Sequence, residues 1–190
     1  MNNQWRHYAD ISQCPLCPLK GQDYALSRIH RGTGKKVMFI GEAPGEEEAK
    51  QHLAFVGRSG KLLDKWIEYL GIDNYVITNV VRHRPPNNRL PRPTEIQECI
   101  PYLIVEIENE HPDYVVCLGR VAANSLYIRP EGSILIYNSP LWTMVGSDYS
   151  ISINQRNYKL TVLYHPSYIL RSGKDMIPYL DKLKARLEVV

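Results

Sequence analysis

Cys14 and Cys17 form a Cys-x2-Cys pair in a proline-rich N-terminal segment, where Pro15 and Pro18 exclude a regular helix. Two thiolates at that spacing can hold one metal centre. A redox pair is the bland reading, but the motif lacks the strand–helix context of thioredoxin-like proteins. A metal needs two further ligands. Cys99 and His83 are the candidates; Cys117 is the alternative, and otherwise a small buried hydrophobe in Val115-Val116-Cys117-Leu118. Gly41-Glu42-Ala43-Pro44-Gly45 reads as a tight turn whose backbone amides can face a ligand. His165 follows an apolar stretch and precedes Pro166, a place where a lone histidine is more often structural than catalytic. Glu46, Glu47 and Glu48 suit the positive end of a helix dipole. Arg82, Arg84, Arg89 and Arg92 crowd one proline-rich loop, and Arg171 and Lys174 follow the His165 segment. Such charges are either solvated surface or contacts to phosphates.

The elements that must position these residues can be read from periodicity. Val37 to Ile40, Tyr75 to Thr78, Tyr114 to Leu118 and Leu160 to Tyr164 are short apolar runs of strand type. Leu62, Leu63, Trp66, Ile67 and Leu70 share a helical face that Gly71 ends. Thr94 with Gln97 reads as a capping box for a helix whose apolar face is Ile96, Ile100, Leu103 and Ile107. A short helix runs to about Leu126, and Met176 to Leu187 is the last helix, with Pro178 in its first turn. Ser133 to Tyr158 reads as a hairpin region turning near Gly146-Ser147-Asp148. Strands alternating with helices predict an α/β fold: a three-layer α/β/α sandwich around a mostly parallel four-stranded sheet. The glycine turn, Asn79, Gly119-Arg120 and His165-Pro166-Ser167 each follow a strand, at the carboxyl ends where open sheets bind ligands.

Composition narrows the class. With 190 residues the chain fits one domain over residues 1–190. Its charged fraction of 23% argues against disorder, and its apolar stretches are too short to span a membrane. The first residues carry no apolar signal segment, so an intracellular, cytoplasmic location is expected. In that compartment four cysteines read as thiols or metal ligands, not as a disulfide framework. A net charge of +3 does not by itself point to nucleic acid.

Four segments in order carry a resemblance. They are Gly41-Glu42-Ala43-Pro44-Gly45-Glu46-Glu47-Glu48, Phe55-Val56-Gly57-Arg58-Ser59-Gly60-Lys61-Leu62-Leu63, the run from Thr78 to Arg89, and His165-Pro166-Ser167-Tyr168-Ile169-Leu170-Arg171. With Cys-x2-Cys, they resemble the family 4, iron–sulfur, uracil-DNA glycosylases over about Cys14 to Arg171. The resemblance implies an enzyme that flips deoxyuridine out of DNA and hydrolyses its N-glycosidic bond. It leaves an abasic site and so starts base-excision repair. Phe55 would stack on uracil, and the Asn79 amide would read N3–H and O4, a polarity cytosine reverses. His165 would donate to O2 as the uracil anion leaves. Amides at Glu42 and Ala43 would add donors, and Gly45 stands where some relatives carry a tyrosine that blocks the thymine methyl. Glu42 and Glu48 are the carboxylates available to orient water or stabilise the sugar cation, with Asn88 a further polar candidate. Arg89, Tyr168, Ile169, Leu170 and Arg171 would contact DNA, the last four as a loop in the minor groove. Cys14, Cys17, His83 and Cys99 would hold a [4Fe–4S] cluster, with structural zinc as the alternative. The expected partner is uracil-containing DNA, bound by a monomer; no sliding-clamp motif stands out, and no membrane is involved.

Three departures from the family pattern bear on function. His83 replaces the usual third cysteine, which would raise the cluster's potential. His52-Leu53-Ala54 is unusual before Phe55, and the Ser133–Tyr158 segment is long and aromatic, as extra core or a partner surface. A competing reading is a uracil- or abasic-DNA binding protein of the same superfamily, non-catalytic or covalently trapping. The loop Asn87-Asn88-Arg89-Leu90-Pro91-Arg92-Pro93 contains no histidine, which argues against trapping. A small-molecule hydrolase is a distant third, since no nucleophile stands out.

Overall fold

Side chains in a strand alternate between the two faces of a sheet, and the central strands here are apolar on both. β2 (Val37–Gly41) and β4 (Tyr114–Leu118) are buried at every position. Met38, Ile40, Val115 and Cys117 face one way; Val37, Phe39, Tyr114, Val116 and Leu118 face the other. Strands of this kind need helices on both sides. The computed structural model describes residues 11–126 and 141–188. Within them β1 (Arg28–His30), β3 (Tyr75–Asn79), β5 (Asp148–Ile153) and β6 (Arg156–Leu163) complete one sheet in the order β1-β3-β2-β4-β6-β5. The inner four strands are parallel, as expected. The two edge strands are antiparallel, so the sheet has six strands where four were anticipated. β1 is three residues long with an exposed burial pattern, which leaves almost no periodic signal to read.

The helices form the outer layers. α2 (Arg58–Leu70) packs Leu63, Trp66, Ile67 and Leu70 with Leu180 and Leu183 of α7 (Ile177–Glu188) on one face. α3 (Pro93–Glu110) packs Cys99, Ile100, Leu103 and Ile107 on the other, with Ala122 and Ala123 of α4 (Arg120–Ser125). Gly71 ends α2 in the left-handed region, at φ 68°, as the glycine signal suggested. The start of α3 differs from expectation. Pro93 occupies its first turn, and the buried Glu95 carboxylate, not Thr94 or Gln97, accepts the Arg92 N–H at 2.7 Å. Proline at the first helical position needs no N–H, so the cap shifts toward it.

The β5–β6 hairpin also turns elsewhere. Asn154 and Gln155, both at positive φ (46° and 69°), form its two-residue connection, while Gly146 and Ser147 precede β5. Two residues at positive φ match the twist of a tight hairpin, and asparagine tolerates that region. β6 accordingly begins at Arg156, earlier than the apolar run. The part of the anticipated hairpin region at 133–140 lies outside the described residues. Between β2 and α2 lies α1 (Glu46–Gln51); α5 (Leu141–Met144) precedes β5, and α6 (Pro166–Ser172) follows β6.

One close approach in this frame is testable. A Cβ added to Gly60, in the first turns of α2, would lie 1.7 Å from the Phe55 carbonyl oxygen. Glycine to alanine inside a helix ordinarily stabilises by about 0.5–1 kcal/mol. Here Gly60→Ala is expected to destabilise by about 1–3 kcal/mol through overpacking, read as a lower midpoint in urea unfolding.

Candidate active site at the strand ends

Because β2, β3, β4 and β6 run parallel, their carboxyl ends open on the same side of the sheet, at Gly41, Asn79, Leu118 and Leu163. A cavity of about 620 Å³ lies there. Its lining brings together the sequence-anticipated Glu42, Ala43, Gly45, Glu48, Phe55 and Asn79. Asn88, Arg89, His165, Tyr168 and Arg171 line it too, whereas Ile169 and Leu170 do not. Ile169 instead packs against the core face shared by α2 and α7, and Leu170 is exposed.

The floor is set by glycine. A Cβ at Gly41 would fall 2.5 Å from the Phe55 ring and 2.6 Å from Asn79 Oδ1, so only glycine lets both approach this backbone. Phe55 is buried and sits in the left-handed region at φ 55°, an unfavourable place for an aromatic residue. Arg28 Nη1 donates to its carbonyl at 3.2 Å while the same guanidinium pairs with Asp64. Glu48 fixes the other side: its Oε1 accepts the Gly57 N–H at 2.8 Å, and a Cβ at Gly45 would meet its Oε2 at 2.7 Å. Glu48 thus ties the glycine turn to the Phe55 loop. The His52-Leu53-Ala54 variation is accommodated: Ala54 N–H bonds the Leu26 carbonyl at 2.8 Å, and the His52 ring stacks on Tyr24.

Two polar side chains stand out chemically. Asn79 is 3% exposed, and its Oδ1 has no hydrogen-bond partner. A buried amide oxygen left unpaired costs about 1–3 kcal/mol. His165 caps α6: its Nδ1 accepts the Ser167 N–H at 3.1 Å and lies 2.9 Å from Ser167 Oγ. An Nδ1 that accepts leaves the neutral ring's proton on Nε2. Burial, with Arg171 adding to it, pushes the His165 pKa down to about 4, so the ring is neutral at ordinary pH. Its ring centroid lies 5.7 Å from that of Phe55. Burial raises the Glu42 carboxyl, and Arg120 opposes that shift.

The arginine-rich loop is not one basic surface. Arg82 is buried and paired with Glu106, which corrects the expectation that it faces a ligand. Arg89 forks onto the buried Glu95 at 2.8 and 2.6 Å, and Arg84 reaches Asn88 and Glu46. Sequence reasoning gave no role to Arg58, Arg120 and Ser167, which line the cavity. Arg120 and Ser167 lie in segments already marked as following a strand, and Arg58 lies in the Phe55–Leu63 segment.

At the far side of this loop, Cys14, Cys17 and Cys99 are buried. Burial raises the thiols of Cys17 and Cys99, Cys99 to about 11, and the charges of neighbouring cysteines contribute in both cases. His83 is 2% exposed and its Nε2 has no hydrogen-bond partner, while its ring bonds the Ile11 main chain. A ligating histidine commonly holds its second nitrogen on a carbonyl in this way, so these four residues suit a metal group. Among the described residues no three His, Cys, Asp or Glu converge closely enough for a single metal ion. Cys117 is raised by burial alone and lies in the core, on β4.

Comparison with known proteins places this architecture. Residues 31–188 match the family model of the uracil DNA glycosylase superfamily. The chain is 34% identical over 166 residues to a type-4 uracil-DNA glycosylase of Archaeoglobus fulgidus, spanning 85% of this chain and 80% of that one. It is 35% identical to the type-4 enzyme of Thermotoga maritima, with the same coverage, and 39% identical to that of Saccharolobus solfataricus over 85% and 74%. A match that takes in every parallel strand and the whole cavity makes this chain a member of the uracil-DNA glycosylase superfamily, on its type-4 branch.

Proposed function

We infer that this chain is a monofunctional uracil-DNA glycosylase, a single domain that hydrolyses the N-glycosidic bond of deoxyuridine in DNA and so initiates base-excision repair. The observation that carries this reading is the unpaired Oδ1 of buried Asn79, beside the Phe55 ring on the Gly41 backbone. An acceptor held dry and empty-handed suits a ligand that arrives with an N–H, as uracil does at N3 and cytosine does not. Phe55 supplies the apolar face against which a planar base stacks.

The extruded uridine needs stabilisation of the uracil anion as the bond to the sugar breaks. His165 is suited to that task as a neutral donor. A hydrogen bond from Nε2 to O2 strengthens as charge collects there, and no proton need be transferred. The sugar becomes cation-like, and water then attacks it. Glu42 is the carboxylate we assign to orienting that water. Glu48 has its Oε1 committed to the Gly57 N–H, and its Oε2 lies where a side chain at Gly45 would project, so we assign it to shaping the pocket. We assign Tyr168 and Leu170, both exposed on α6, to enter the duplex where the base has left, and Arg171 to phosphate.

Cys14, Cys17, Cys99 and His83 would hold a [4Fe–4S] cluster, which ties the N-terminal segment to α3 and the loop after β3.

Incubation with a uracil-containing oligonucleotide followed by alkali is expected to cut the strand at uracil. Tight binding without release of uracil would instead identify a binding protein. His165→Ala is expected to lower the single-turnover rate by about 10²–10³; loss of the α6 cap should also lower the unfolding midpoint, and an unchanged circular dichroism spectrum shows that the slow protein is still folded.

The pH profile is a second check. The His165 pKa is lowered, so its donor form persists above about 4. Bond cleavage should show no inflection near the ordinary imidazole value of about 6.5. The raised Glu42 carboxyl should instead set an acid limb that Glu42→Gln abolishes. For stability the sign is the usual one for a depressed pKa: His165 favours the folded state above about 6.5, and that contribution drains away as pH falls toward about 4.

Anaerobic purification is expected to yield a brown protein containing iron and sulfide, and Cys99→Ser should bleach it. A colourless protein containing stoichiometric zinc would overturn the cluster assignment.

A further inference from the structure

On the face of β3 opposite Asn79 lies a buried polar network that the reading of uracil does not use. Thr78 is fully buried and Arg82 is 7% exposed. Arg82 Nη1 donates to Thr78 Oγ1 at 2.5 Å and to Ser27 Oγ at 2.9 Å, while Nη2 pairs with the Glu106 carboxylate at 2.6 Å. Ser27 also bonds Glu106 and lies 2.9 Å from Thr78 Oγ1. The Arg82 main chain is engaged as well: its N–H donates to the Cys99 thiol, and its carbonyl accepts the Ala25 N–H at 3.0 Å. One residue therefore touches the end of β3, the helix that carries Cys99 and Glu106, and the segment leading into β1.

A buried charge is retained at a cost unless its partners are complete, and this guanidinium has them. Successive side chains of a strand point to opposite faces, so an anchor on one fixes the aim of the next on the other. β3 ends at Asn79, whose pairing with Gly41 is the last rung on that side. Beyond it only the Val80 and Val81 N–H groups, bonded to the Gly41 and Glu42 carbonyls at 3.0 Å, continue the hold. The last rung is where a ladder constrains a side chain least, and there the network supplies a second anchor through Thr78.

We propose that Arg82, acting through the Thr78 hydroxyl, is a positioning residue that holds the Asn79 amide in its uracil-reading orientation and ties it to α3. This rests on the assignment of Asn79 made above. Arg82 touches no substrate, so its effect is on the orientation of a group that does. Misaim of a recognition group lowers the rate of the bound complex more than it weakens binding of the DNA, most of which comes from the backbone.

Thr78→Val removes the hydroxyl, keeps the shape and leaves the Arg82–Glu106 pair in place. In single-turnover cleavage of a uracil-containing oligonucleotide it should lower the maximal rate by about tenfold and change the half-saturating enzyme concentration by less than about twofold. Because the effect passes through Asn79, the same change in an Asn79→Ala background should cost less than about twofold. Arg82→Lys, which keeps the charge beside Glu106 but loses the fork, should repeat the Thr78→Val pattern. An unchanged rate for Thr78→Val, or an equal loss in both backgrounds, would overturn the proposal. If Asn79→Ala itself cleaves at the wild-type rate, the assignment of Asn79 falls instead. An impaired Asn79→Ala with a normal Thr78→Val overturns only the positioning role.

Discussion

The site depends on keeping a buried amide oxygen dry and unpaired. Left to itself, Asn79 Oδ1 would turn toward a nearby donor or draw in water, because an unmet acceptor in a protein interior is costly. Close packing surrounds it. Gly41 allows the Phe55 ring to lie against the same backbone, and the parallel pairing of β2 with β3 fixes the amide's origin. On the reading proposed above, that cost is recovered when uracil supplies the missing N–H. Recognition of this kind rejects a base that brings an acceptor to the same point, because two acceptors would then be buried face to face.

His165 follows the same logic with opposite polarity. Its Nδ1 is occupied by the Ser167 N–H, so the cap that starts α6 also chooses the tautomer. Burial and the nearby Arg171 keep the ring uncharged, which makes it a donor without making it an acid. The acceptor at the end of β3 and the donor just beyond β6 come from strands separated by β2 and β4 in the sheet. Neither has meaning alone; the sheet places them across one cavity. The glycine turn and Glu48 close the space between them, which explains why a carboxylate so near the chemistry is occupied with backbone.

The basic loop divides into a solvent side and an interior side, and the division is physical. A guanidinium is stable in the core when its fork is matched, as Arg82 is by Glu106, Ser27 and Thr78. Arg89 is likewise spent on Glu95. Arg58, Arg120 and Arg171 stand exposed at the cavity rim. His83, in the middle of this loop, carries another unpaired polar atom, its Nε2, and its ring bonds the Ile11 main chain just before Cys14. One loop thus serves the sheet, the base pocket and the cysteine cluster through consecutive residues.

Sequence by itself determined the four parallel strands, because runs buried on both faces are continuously apolar and their lengths fit strands. It determined too that Asn79 and His165 follow such runs, and that Cys117, within one, belongs to the core. The edge strand β1 was beyond it, since three half-exposed residues carry no period, and so was the hairpin turn, where Asn154 and Gln155 prevailed over a nearby glycine. Tertiary structure alone decided which arginines are spent on carboxylates, because those carboxylates lie 6 residues away for Arg89 and 24 for the buried Arg82. It also decided that Asn79 Oδ1 and His83 Nε2 go unpaired. A sequence records which groups can bond, but only the packed chain fixes which are left without a partner.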